Sequence, residues 1–224
     1  MRKTLLSLAF LLVAGPAAAQ NVSLPSTLDL NGFGKPSIAT FGQTFTASAA
    51  NNLQSFQFLL ANDPNYGETG ANLRFRGYVM EWNVTNSVAT GPVLFQSDIR
   101  TGVGGDSYVP VVFSTPGTSL VTGHSYVAFL SASGLAPANG QTTAVEQMAG
   151  NDESFAGSWV FADNEDDFGS LSKNSWFVAD GLNTAFSATF TSNQSTVPEP
   201  SEFVLLGSGL TGLVGFVRVR RKRA

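Results

Sequence analysis

Between residues 40 and 192 the chain is cut by Gly, Asn, Pro and Ser into runs of four to ten residues, several with two-residue alternation of apolar and polar side chains. Phe56, Phe58 and Leu60 share one parity, as do Tyr126, Ala128 and Leu130, and again Phe186, Ala188 and Phe190. A period of two places such residues on one face of a strand. Strands are expected at Phe41–Ala47, Leu53–Leu60, Leu73–Trp82, Val93–Asp98, Val109–Ser114, His124–Ser131, Ser158–Ala162, Ser175–Val178 and Thr184–Thr191. Within Leu73–Trp82 the apolar residues change parity at Gly77, from Leu73 and Phe75 to Tyr78, Met80 and Trp82, which predicts a bulge there. So many short strands in one domain point to an all-β fold, a single β-sandwich with jelly-roll-like topology. The first and last of them are expected to lie near each other, as the ends of compact domains do.

The two ends of the chain differ from this pattern. Arg2 and Lys3, the apolar run Leu5–Val13 and the small residues Ala17-Ala18-Ala19 have the order of a secretory signal peptide, with cleavage expected after Ala19. At the other end, Val197-Pro198-Glu199-Pro200 precedes an apolar stretch, Phe203–Val217, which is followed by Arg218, Arg220, Arg221, Lys222 and Arg223. As a helix that stretch reaches about 22 Å, short of the roughly 30 Å hydrocarbon core, so it would span only by local thinning or snorkelling of its arginines. The basic cluster keeps the C-terminus on the cytoplasmic side and leaves everything before it exported. The division expected is therefore a signal peptide over 1–19, a β-sandwich over 20–192, and a linker with a sorting segment over 193–224.

Val-Pro-Glu-Pro, a short Gly-rich apolar helix and an Arg-rich end together resemble the PEP-CTERM sorting signal of Gram-negative bacteria. The resemblance implies that an exosortase, an integral-membrane cysteine transpeptidase, cuts at or near Pro198-Glu199-Pro200 after Arg218, Arg220, Arg221 and Arg223 have held the precursor in the inner membrane. The product would then reach the cell surface or the extracellular space. Phe41-Gly-Gln-Thr-Phe45, Leu73 to Trp82, Gly123 to Leu130 and Thr184-Ala-Phe186 resemble a group of uncharacterised PEP-CTERM proteins whose domain looks like a carbohydrate-binding-module jelly roll. That group brings no activity with it.

Charge narrows the partners. Of 12 Lys and Arg, seven lie in the two end segments, whereas 14 of 16 acids precede Val197, so the displayed domain carries five bases against fourteen acids. A net charge near −9 repels nucleic acid, which is excluded as a partner. The chain has no cysteine, which removes thiol nucleophiles, thiolate metal sites and disulfides, so the core alone must hold the fold.

Three places could carry chemistry. Asp163, Glu165 and Asp167 have the alternate spacing that opens a calcium loop, but Phe168 and Asn174 stand where an EF-hand needs Gly and an acid. A calcium ion on a few of these oxygens is the one cofactor the sequence suggests. Trp82, flanked by Glu81 and Asn83, is the best candidate for a sugar-stacking platform with polar partners, although a tryptophan in a sandwich is more often core. His124, the single histidine, lies in a turn, and no Gly-x-Ser-x-Gly elbow accompanies it, so a serine hydrolase is not expected. The functional expectation is a non-catalytic surface or matrix protein associated with exopolysaccharide. A carbohydrate-binding module is the alternative, and a glycan-active hydrolase comes third.

Overall fold

The computed structural model describes residues 20–23, 25–35, 38–62, 70–138, 144–151 and 156–192. The expected signal peptide over 1–19 and the linker and sorting segment over 193–224, with Pro198, Glu199, Pro200 and the terminal arginines, lie outside the described residues. So do the residues that would form a membrane helix; among the described residues no helix is long and apolar enough to cross a bilayer.

The described chain is all-β. In order, the strands are β1 (Gln20–Ser23), β2 (Leu28–Lys35), β3 (Thr40–Thr46), β4 (Asn52–Asn62), β5 (Arg74–Asn83), β6 (Val88–Gln96), β7 (Arg100–Thr101), β8 (Val109–Ser119), β9 (Ser125–Ser131), β10 (Ala144–Asn151), β11 (Trp159–Ala162), β12 (Phe177–Ala179), β13 (Asn183–Thr184) and β14 (Phe186–Thr191). Short 3-10 helices occupy Gly70–Asn72 and Phe168–Ser172. The first sheet runs β1-β14-β4-β10-β13, with β8 also on β4 and β2 also on β10. The second runs β12-β11-β3-β9-β5-β6, with β7 beside β5.

The two sheets pack face to face because each strand turns one apolar parity inward. Phe41, Phe45, Phe75, Val79, Tyr126 and Leu130 of the second sheet meet Leu53, Phe56, Phe58, Phe113, Met148 and Phe186 of the first in one cluster. The rings interlock edge to face or offset: Phe33 with Phe41 at 4.8 Å, Phe41 with Phe58 at 5.1 Å, Phe56 with Phe113 at 5.0 Å. Each such pair contributes about 1 kcal/mol beyond the area it buries. In β4 a register shift against β8 between Leu53 and Ser55 lets Leu53 join the buried side that Phe56, Phe58 and Leu60 occupy. The first and last expected strands do approach each other, but across the sandwich: Phe45 of β3 lies 5.7 Å from Phe190 and 6.2 Å from Phe186 of β14.

The second sheet is buried on its other face as well. Tyr78, Met80, Trp82, Val127, Phe129 and Val160 form a second cluster with Leu171 and Trp176, which belong to the 163–176 excursion between β11 and β12. Phe168 closes it, 4.8 Å from Tyr78. This corrects the bulge expected at Gly77. The pairing of β5 with β9 runs unbroken from Arg76 to Glu81, and the register shift lies instead on the β6 side, between Val79 and Glu81. Both parities of β5 are apolar because both faces are covered. Gly77 serves a different end: a Cβ there would stand 2.7 Å from the Phe113 ring of the opposite sheet, so its lack of a side chain seats that ring.

Candidate functional site

At one end of the second sheet, the close of β3, the turn after β5, the start of β9 and the segment before β11 border an open groove of about 490 Å³. Thr46, Trp82, Val84, Ser125, Ser158 and Asp180 are among its walls. The groove is mixed in character, with several hydroxyls, one carboxylate, an indole and the Val84 side chain, which is 66% exposed.

Trp82 does not form the platform expected of it. It is only 8% exposed, and its ring packs edge to face on Trp176 at 5.5 Å within the second cluster. Its neighbours are engaged separately. Glu81 Oε1 lies 3.6 Å from His124 Nδ1, both side chains being part-exposed, while Asn83 Oδ1 accepts from Asn86 N at 3.0 Å and holds the β5–β6 turn. Adjacent strand residues point to opposite faces, so Glu81, Trp82 and Asn83 do not converge on one ligand.

The acidic run is likewise used by the backbone. Asp167 N donates to Asn164 O at 2.9 Å, and the Asp167 side chain accepts from Ser170 N at 3.2 Å, capping the 3-10 helix. Glu165 takes a left-handed conformation, φ 43°. Asp166 pairs with Lys35 and accepts from Gly134 N at 3.1 Å; the Lys35 hydrogen bond and charge hold its carboxyl below the usual aspartate range. Asp163, Glu165 and Asp167 therefore do not gather as the calcium spacing anticipates, and among the described residues no three His, Cys, Asp or Glu groups stand close enough to hold a metal ion. The physical reason is the tight turn, which spends Asp167 on a helix cap and puts the Glu165 backbone in a left-handed conformation.

Two further places escaped the sequence pattern. Where β11 ends and β12 begins, a pocket of about 160 Å³ is lined by residues that include Phe161, Asp163, Asn174 and Phe177. Phe177 is 58% exposed although Trp176 beside it is 3% exposed, and the Phe161 and Phe177 rings lie 4.7 Å apart. The alternation of that Trp-Phe pair was the available signal: if one ring is core, the next faces out. The second place is Glu146 on β10, fully buried, whose Oε1 accepts from Val103 N and, at 3.4 Å, from Gly104 N. Burial pushes its carboxyl up to about 7, against the opposing effect of those two N–H groups. Its Oε2 has no hydrogen-bond partner among the described residues.

No protein-family model matches the chain, and no curated protein does. Among solved structures it is similar to the cysteine protease and lectin-like domains of Cwp84, a surface-layer-associated protein of Clostridium difficile, with 13% identity and a TM-score of 0.43, covering 69% of this chain and 32% of that one. It is also similar to the clostridial cysteine protease Cwp84 after propeptide cleavage, with 14% identity and a TM-score of 0.47, covering 78% of this chain and 40% of that one. The chain thus spans less than half the length of either chain it matches.

Proposed function

We propose that this protein is exported, sorted by an exosortase through its C-terminal segment, and displayed at the cell surface or in the extracellular matrix, where its jelly-roll-like sandwich holds extracellular polysaccharide without cleaving it. The observation that carries this reading is the open groove over the strand ends of the second sheet. An open groove of this size suits a stretch of polymer lying in it. Hydroxyls of Thr46, Ser125 and Ser158 and the Asp180 carboxylate offer hydrogen bonds to sugar hydroxyls, while the exposed Val84 side chain meets sugar C–H faces. The acidic surface favours a neutral or basic polymer.

The test is retention of the full chain on immobilised polysaccharides, with Thr46→Trp to fill the trough. Retention that is lost in the variant supports the reading; retention that is equal in both sinks it. For sorting, a strain without its exosortase is expected to accumulate the tail-bearing form, and equal processing with and without the enzyme removes that part.

A further inference from the structure

We infer that the small pocket between the end of β11 and the start of β12 is a separate subsite for a single neutral sugar ring. The inference shares only its ligand class with the function proposed above and concerns residues outside the groove. Two facing requirements define a pyranose: a C–H face that settles on an aromatic ring and an edge of hydroxyls that needs donors and acceptors. Phe177 meets the first. It is the most exposed aromatic residue among the large hydrophobic side chains described, and Phe161, 4.7 Å from it, braces it from a paired position on β11. A solvated phenyl ring gains little where it stands unless something covers it.

The pocket's polar residues divide into two groups. Ser170 Oγ donates to Asp167 O at 2.8 Å and Ser175 Oγ to Asn86 O at 2.8 Å; Asn164 accepts from Thr40 Oγ1 at 2.7 Å and donates to Asp167 O at 3.1 Å. These hold the pocket's shape. Asp163 and Asn174 also line it, and their side chains make no hydrogen bond or ion pair with the described residues. One carboxylate acceptor beside one amide, which both donates and accepts, is the complement of two neighbouring hydroxyls. At about 160 Å³ the pocket has room for one ring rather than a chain. Asp163 lines the pocket and Glu165, Asp166 and Asp167 follow it within four positions of the chain, with Lys35 answering only Asp166, so a uronate would be repelled and a neutral hexose admitted.

Saturation-transfer NMR on the full chain with a neutral methyl hexopyranoside, irradiating aromatic protons, tests this. Transfer to the sugar ring protons is expected in the natural protein, with affinity about tenfold weaker in Phe177→Ala, retained in Phe177→Tyr, weakened in Asn174→Ala, and unaltered in Thr46→Trp. The matching methyl hexuronoside is expected to bind more weakly at low salt, the gap narrowing as salt is raised. Phe177→Ala gives up the ring contact with Phe161, so the variant is only slightly less stable, stays folded at the temperature of the measurement, and a loss of transfer reports binding. No transfer in the natural protein, or equal transfer in Phe177→Ala, overturns the subsite. Polymer retention lost in Thr46→Trp alone, with no hexoside binding, removes the subsite and leaves the proposed function standing. Hexoside binding at Phe177 without any polymer retention does the reverse.

Discussion

Gln43, in the middle of β3, donates its side-chain amide to Asn183 Oδ1 on β13 at 2.8 Å, linking the two sheets through the interior of the sandwich. The oxygen of the same amide accepts from Thr184 N at 2.9 Å and from Thr184 Oγ1 at 3.1 Å. All three residues are buried, so none of these groups can turn to water instead. Gln43→Leu would leave the Thr184 N–H without its acceptor in a place where an unpaired polar group costs about 1–3 kcal/mol. A fall in melting temperature of about 2–12 °C is expected by thermal unfolding. A fall no greater than that of the half-buried control Gln57→Leu would show that the link contributes nothing special.

The strands that alternate cleanly, β4 and β14, were legible because one face of each meets the core and the other is more open. β9 was legible as an apolar run bounded by a turn, although both of its faces are buried. β2 and β10 were not. Asn31-Gly32 inside β2 has the look of a turn, and β10 carries Glu146 and Gln147 where an apolar run would be expected, so only their mutual pairing and that of β10 with β4 reveals them. The parity change in β5 was a true signal with a different cause. Two apolar faces mean two cores, but that requires knowing that residues 163–176 fold back over the sheet. The same missing layer explains the site: Trp82 stands between Glu81 and Asn83 as an exposed residue would, and the cover over it comes from Trp176, ninety-four positions later.

Gly77→Ala adds the smallest possible side chain to a position with no room for it. Its Cβ would sit 2.7 Å from Phe113 Cδ1 and Cε1, and Phe113 is itself packed against Phe56 at 5.0 Å. Overpacking of this kind costs about 1–3 kcal/mol. In the Phe113→Leu background the same change is expected to cost less, because the ring it strikes is gone. A double-mutant cycle by urea unfolding reads the difference, and strict additivity would exclude the contact as the cause.

Trp176→Ala is expected to loosen the excursion while the main sandwich persists. The indole packs on Trp82 and on Phe129 at 5.4 Å, and its Nε1 donates to Leu171 O at 2.9 Å, so it ties the 3-10 helix to the sheet. Truncating a buried tryptophan costs about 3–5 kcal/mol. Amide hydrogen exchange should rise across residues 163–176 more than in β4 or β14. A uniform rise everywhere would mean that the second cluster and the main core unfold as one unit.

Glu146 makes stability depend on pH in the direction opposite to a salt-bridged carboxylate. In the unfolded chain its carboxyl loses its proton near the ordinary value of 4.5, whereas in the folded protein burial holds the proton until about pH 7. Between those values the folded state binds a proton that the unfolded state has released, so this group's contribution to stability falls as pH rises, by at most about 1.4 kcal/mol per pH unit. The total is about 3 kcal/mol by the point where the folded state ionises too, and it is flat beyond. Glu146→Gln keeps an oxygen for the Val103 and Gly104 N–H groups and removes the titration. Urea unfolding from pH 4 to pH 8 should therefore show the two proteins close in stability at the acid end, with the variant pulling ahead between about pH 4.5 and 7 and the gap constant above. Parallel curves would mean that the carboxylate finds compensation on ionising, and the unpartnered Oε2, which sets the cost of that charge, is the atom at which such compensation would have to act.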